Sequence, residues 1–91
     1  MRPILIWGSG LSTYKKVKWL LDYDLNISGF IDIKKGADKT EFKGFPVFYF
    51  KNIPEDHFIL SYVGDRKGKE SIKQFLIDIG KIEGINFLMM S

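Results

Sequence analysis

The chain has 91 residues, 45% of them hydrophobic, and its 14 basic and 11 acidic side chains give a net charge of +3. This length predicts one domain with a small core, and the absence of cysteine excludes disulfides and thiolate chemistry. The apolar runs fall well short of the roughly 20 residues that a membrane-spanning helix needs. The modest positive charge is spread along the chain, which is typical of solvated surface. We therefore expect a cytoplasmic domain with no membrane span and no nucleic-acid partner.

The most informative stretch is 4–13, where an apolar run is broken by a Gly-Ser-Gly sequence and then followed by helical periodicity. This pattern predicts a buried parallel strand, a tight turn and the start of a helix. A helix start offers free backbone N–H groups and the positive end of the helix dipole, and glycines let a ligand approach the backbone. Thr13 stands where a full dinucleotide-binding fingerprint has its third glycine, and a plain strand-to-helix turn is the alternative interpretation. The predicted phosphate-binding residues of this turn are Gly8, Ser9, Gly10, Leu11 and Ser12.

The next elements complete one strand-helix-strand unit. The helix is predicted to end around Asp22 to Asp24, and the apolar residues 27–31 predict a second strand that finishes at Asp32. Residues 33–44 are polar and rich in lysine and predict an exposed loop. The short apolar stretch 45–48 predicts a strand at a sheet edge, because its proline has no N–H to donate to a neighbouring strand.

The second half of the chain repeats the pattern of strand, turn and helix. Residues 52–56 predict a brief helical turn capped by Asn52, and residues 58–63 predict another buried strand that ends at Gly64. A helix is predicted from Arg66 onward, because its apolar residues keep an i, i+3, i+4, i+7 spacing and Gly80 stands where a helix end favours glycine. The residues 86–90 then supply a last strand.

This order of elements predicts an α/β fold. We expect one Rossmann-like domain over residues 1–91, a three-layer sandwich with a mostly parallel sheet of about five strands in the order 3-2-1-4-5. Strand two lies beside strand one because the crossover through the first helix is right-handed.

Ligands of such sheets bind beyond the carboxyl ends of the strands, where three predicted junctions meet. Asp32 lies about twenty residues past the glycines, the offset at which an acidic side chain accepts hydrogen bonds from ribose hydroxyls. A solvated strand end is its alternative role. Gly64 belongs to the third junction, and Arg66 after it is a candidate for bidentate phosphate binding. The neighbouring lysines are predicted to be solvated (Lys34, Lys35 and Lys67).

The sequence contains no pair of nucleophile and base, and no paired carboxylates, at linked positions. His57 is the only histidine, so a transition-metal site is not expected. Trp7 is predicted to lie in the core, with a nucleobase contact as the alternative because it adjoins Gly8. Trp19 is predicted to pack in the core or to lie at the rim of the helix, where exposure would indicate a contact with another domain.

Several short stretches occur in an order that resembles a known family. The stretches are Pro3–Gly10, Gly29–Ile33, Lys43–Val47, Tyr62–Gly64 and Glu83–Leu88. Together they resemble the small Rossmann-like domain at the C-terminus of some bacterial family-two glycosyltransferases, and a similar domain opens sugar O- and N-acyltransferases.

The resemblance implies that the chain is part of a longer glycosyltransferase, whose catalytic domain lies upstream as a partner. It also implies nucleotide-sugar binding at Gly8, Gly10, Asp32 and Gly64. Thr13 departs from the glycine that is usual in this family, and a side chain there weakens or abolishes binding if it crowds the pyrophosphate.

Three functions follow as hypotheses. The first is an accessory domain that binds a nucleotide sugar such as a uridine diphosphate sugar, with no chemistry of its own. The second is a structural module without a ligand, which docks on the catalytic domain or on a second copy. The third and weaker one is an NAD-dependent oxidoreductase, against which the single mononucleotide-binding half and the missing third glycine argue.

Overall fold

A computed structural model describes residues 2–23 and 25–90 of the chain. The described residues form a six-stranded sheet and two helices. The strands are β1 (Ile4–Trp7), β2 (Ile27–Asp32), β3 (Glu41–Phe42), β4 (Phe45–Tyr49), β5 (Phe58–Ser61) and β6 (Phe87–Met89), and the helices are α1 (Leu11–Leu21) and α2 (Arg66–Asp78). The end of α1 was predicted around Asp22 to Asp24, and Asp22 is its C-terminal cap, which confirms the start of that range. Asp24 lies outside the described residues.

The strands lie in the order β3-β4-β2-β1-β5-β6. All pairs are parallel except the antiparallel hairpin of β3 and β4. The predicted α/β class with a mostly parallel sheet is confirmed. The predicted count of about five strands and the order 3-2-1-4-5 are wrong, because β3 adds a sixth strand beyond β4.

The additional strand exists because the predicted loop 33–44 contains a hairpin turn. Lys43 and Gly44 both have positive φ, 53° and 83°, which is the backbone of a two-residue type I′ turn. The prediction that the strand with Pro46 lies at the edge is therefore wrong, since Pro46 pairs with Glu41 of β3. The β3–β4 ladder has only two residue pairs, so it tolerates the missing proline N–H.

One helix covers each face of the sheet, because side chains alternate along β1. Leu5 and Trp7 pack with Ile72 and Leu76 of α2, whereas Ile6 packs with the apolar side of α1. Each face therefore has its own core, and the layers are helix, sheet and helix. Neither helix in the described part of the chain has the length and apolar character to cross a membrane.

One short helical turn spans Ala37–Lys39, and a second lies earlier in the chain than predicted. It spans Phe50–Asn52 and begins after Tyr49, so the predicted turn over 52–56 with Asn52 as its first cap is wrong. Ile53 follows in an extended conformation with ψ of 126°. The physical reason is Pro54, since the residue before a proline is sterically kept out of the helical region.

Candidate functional site

The turn after β1 requires a glycine at its first position. Gly8 has φ of 111°, and its N–H donates to the carbonyl of Ile31 at 2.7 Å. A Cβ at this position would lie 2.6 Å from Oγ1 of Thr13, whose side chain is buried. Thr13 therefore fills the space between α1 and the end of β1 that a third glycine would leave open.

Gly10 has a different role, because packing does not require it to be glycine. Its backbone is extended, with φ of −88° and ψ of 167°, and a Cβ there would meet nothing within 4 Å. It is the N-terminal cap of α1 and makes no side-chain cap hydrogen bond. The exposed side chains of Leu11 and Ser12 begin that turn. The first turn of α1 thus has backbone N–H groups without an intrahelical partner, as every helix start does, and it follows a residue without a side chain.

Asp32 connects the glycine turn to the end of β2. One carboxylate oxygen accepts from the hydroxyl of Ser9, and the other accepts from the N–H of Lys34 at 3.0 Å. Asp32 is half-buried, and a carboxylate has about four acceptor positions, so two remain. The predicted proximity of this acid to the glycine turn is therefore present, and Ser9 serves Asp32 instead of capping α1.

A cavity of about 450 Å³ opens on the α2 side of the glycine turn. The side chains that line it are apolar except those of Asp32 and Ser71. The full lining is Trp7, Gly8, Ile31, Asp32, Ile33, Phe50, Val63, Gly68, Ser71, Ile72 and Phe75. The ring of Trp7 packs edge to face against those of Phe50 and Phe75, with centroids 6.3 and 5.9 Å away. Trp7 is thus a core residue, as predicted, that also forms one wall of a cavity.

The start of α2 reaches the same edge but is already capped. The carboxylate of Asp65 accepts from the N–H of Gly68 at 2.8 Å, which places a negative charge at the positive end of the helix dipole. A Cβ on Gly68 would lie 2.9 Å from Val63, so this glycine lets α2 approach the chain leaving β5. The sequence interpretation missed Gly68, although a glycine in the first turn of a predicted helix was the signal for it.

Gly64 and Arg66 lie away from the central cavity. They line a separate depression of about 500 Å³ with residues of α2 and with Met89 of β6. The side chain of Arg66 is 92% exposed and its Nε lies 3.4 Å from Oε1 of Glu70, an arrangement that contributes little to stability. The fold therefore does not bring Arg66 to Gly8 and Asp32, as the prediction of phosphate binding requires.

Lys34 and Lys35 lie on the other side of Asp32. They line a smaller depression of about 250 Å³ that also includes Ser9 and Asp32. Their side chains are exposed, as expected. This depression faces the α1 side of the sheet, so Asp32 separates it from the apolar cavity.

Lys16 is a second residue that the sequence interpretation missed. Its ammonium donates to the carbonyl of Tyr62 at 3.2 Å and approaches Gly64, where a Cβ would lie 3.2 Å from it. The lysine thus links α1 to the end of β5, a contact that a helical wheel does not reveal before the strand order is known.

Burial raises the pKa of the Tyr62 hydroxyl.

Two aromatic side chains at the C-terminal end of α1 face solvent. Trp19 is 52% exposed and Tyr23, just beyond the helix, is 64% exposed. Their rings pack edge to face with centroids 5.9 Å apart. The expectation that Trp19 packs in the core is therefore wrong, and its exposure is the feature expected of a docking surface.

Comparison with family models, curated proteins and solved structures finds no match to this chain.

Proposed function

We propose that the chain is an accessory domain that binds a nucleotide sugar for a glycosyltransferase and performs no chemistry itself. The observation that carries the proposal is the glycine turn before α1: Gly10 provides no side-chain cap, and Gly8 lines a cavity of about 450 Å³ together with Asp32. Volumes of this size are typical of small-molecule sites. The family resemblance of the sequence supports the link to glycosyltransferases.

The contrast between the two helices indicates where the phosphates bind. Both α1 and α2 begin at the carboxyl edge of the sheet, but the carboxylate of Asp65 caps the start of α2, whereas Gly10 provides no side-chain cap at the start of α1. A carboxylate repels a phosphate, whereas unpaired N–H groups at a helix start attract one. The phosphates therefore lie over Gly10, where no Cβ obstructs the backbone.

Asp32 is suited to the ribose. Its carboxylate faces both the glycine turn and the cavity and has acceptor positions left after Ser9 and Lys34 have donated to it. A ribose between phosphate and base would donate its hydroxyls to those positions. Thr13 does not block this arrangement, because its side chain is directed against Gly8, below the turn.

Titration of the chain with uridine diphosphate glucose, followed by amide NMR, tests the proposal. We expect shifts at the amides of residues 8–12 and at Asp32, with Gly80 and Gly84 as unaffected references. Absence of shifts at residues 8–12 with millimolar ligand contradicts the proposal.

A second function is favoured by the exposed ring pair of Trp19 and Tyr23. In this case the chain is an interaction module that docks on a catalytic domain or on a second copy. Sedimentation equilibrium over a range of concentrations tests self-association, which Trp19→Ser should then weaken. If the chain is a monomer at all concentrations, docking on a second copy is excluded and docking on another domain is the form of this function that is left.

A further inference from the structure

We propose that the apolar cavity is the nucleobase subsite and that it recognises the base by its face, so that the site distinguishes poorly among the four bases. This inference rests on the proposed function and adds to it the manner of base recognition. It follows from the apolar side chains of the cavity walls and from the hydrogen bonds that the nearby backbone N–H groups already make.

The walls are apolar, and because Trp7 itself is only 4% exposed, a planar ring would contact chiefly the half-buried Phe50 and Phe75 beside it. Trp7, Phe50 and Phe75 form one aromatic cluster in which the last two centroids are 5.1 Å apart. Ile33 stands at the rim and is 64% exposed. Base stacking on aromatic and apolar side chains depends little on the identity of the base, because every base has a π face.

The same walls have few groups that could recognise the edge of a base. The N–H of Gly8 already donates to Ile31, and the N–H of Gly68 already donates to Asp65. Ser71 contributes one hydroxyl, and the acceptor positions left on Asp32 are those that we assign to the ribose. Strong discrimination needs several fixed donors and acceptors, since it arises when a wrong ligand leaves them unpaired. The polar edge of the base must then point outward to water.

Asp32 links this subsite to the phosphate turn. It lines the cavity and also bonds to Ser9 in the glycine turn. A nucleoside diphosphate would therefore place its phosphates over Gly10, its ribose beside Asp32 and its base against the wall that includes Trp7.

The chain contains a reporter for this contact. It has two tryptophans, so Trp19→Phe leaves Trp7 as the sole indole, at the cavity wall. This variant is titrated with the diphosphates of adenosine, guanosine, cytidine and uridine. We expect each to change the fluorescence of Trp7, with dissociation constants within about tenfold of one another and tighter binding of the larger purines. A wider spread overturns the inference, as does an unchanged Trp7 signal while the amides of residues 8–12 shift.

A matched pair of variants separates the base from the phosphates. Ile33→Ser removes the apolar rim, and we expect about fivefold weaker binding of uridine diphosphate with no change for inorganic pyrophosphate. Ile85→Ser is the control, because Ile85 is similarly exposed, at 59%, and lies outside the cavity. Equal weakening of both ligands, or of neither, overturns the base subsite. Failure of pyrophosphate and of all four diphosphates to shift residues 8–12 instead contradicts the proposed function.

Discussion

The side chain of Thr13 lies so close to Gly8 that a Cβ on Gly8 would be 2.6 Å from its Oγ1. In the dinucleotide-binding fingerprint the third glycine allows close packing of helix and strand. This chain has Thr13 at that position, and the roles of the two positions are exchanged. Here the earlier glycine makes room for a later side chain. The turn keeps its shape and its exposed helix start without the third glycine.

Gly8→Ala should destabilise the fold by about 3 kcal/mol, since it adds a steric overlap to an unfavourable positive φ. Urea unfolding measures this. Adding Thr13→Ala to Gly8→Ala should recover part of the loss, because it removes the overlap but not the backbone strain. A single Gly8→Ala variant as stable as the wild type would contradict the geometry of the turn.

Gly10→Ala should separate binding from stability. Its backbone is extended and its surroundings are open, so we expect a cost of only about 0.5 kcal/mol from the weaker helix cap. The new methyl group would lie where phosphates approach α1, and calorimetry should show affinity for uridine diphosphate reduced by about tenfold. Unchanged affinity would argue against phosphate binding over this residue.

Asp32→Asn should act on the ribose and on the turn. We expect a loss of about 1 kcal/mol in stability, because one of the two oxygens that accept from Ser9 and Lys34 becomes a donor. The wild type should bind uridine diphosphate more tightly than 2′-deoxyuridine diphosphate, and this preference should shrink in Asp32→Asn. A preference that persists in the variant would assign the ribose to another residue.

Ser61→Ala should stabilise the protein. Ser61 is 1% exposed, and its hydroxyl has no hydrogen-bond partner among the described residues. An unpaired buried hydroxyl loses its hydration without compensation, so removing it should gain about 1 kcal/mol in thermal or urea unfolding. Ser28→Ala is the control, because the Ser28 hydroxyl donates to Ile4 at 3.4 Å and its removal should not stabilise.

Tyr62 should make stability fall at alkaline pH. Burial raises its pKa in the folded state above the ordinary value of 10.0, so the unfolded chain loses the phenolic proton first. The contribution of the protonated Tyr62 to the free energy of unfolding is therefore fully present below pH 10 and is lost as the pH rises through the folded-state pKa. The unfolding free energy of Tyr62→Phe should therefore decline less than that of the wild type above pH 10. Parallel declines would show that Tyr62 does not contribute.

The sequence patterns that depend on local spacing correctly predicted the helices and the strand before the first of them. The apolar spacing in residues 66–80 correctly predicted α2, because Ile72 and Leu76 are buried on one side of it and Gly80 follows with φ of 93°. The strand, turn and helix at residues 4–21 were predicted for the same reason. The closeness of Asp32 to the glycine turn also followed from strand order, since β2 lies beside β1.

Features that depend on distant contacts or unusual backbone were missed. The strand β3 escaped prediction because Lys43 adopts a positive φ, for which Asn, Asp or Gly is the usual signal. The contact of Lys16 with Tyr62 depends on the packing of α1 above β5. Arg66 lies 3.4 Å from Glu70 and lines a depression that does not include Gly8 or Asp32, so its assignment to phosphate stays a prediction.

The β3–β4 hairpin has a consequence for the order of folding. Among the strand pairs of residues 2–23 and 25–90, it is the one closed by a two-residue turn, whereas each parallel pair must bring together strands separated by a longer connection. Short loops lose the least entropy on closure, and pairing of distant segments slows folding. We expect the hairpin to form early and the pairing of β1 with β5, the most distant along the chain, to be among the last to gain protection from hydrogen exchange.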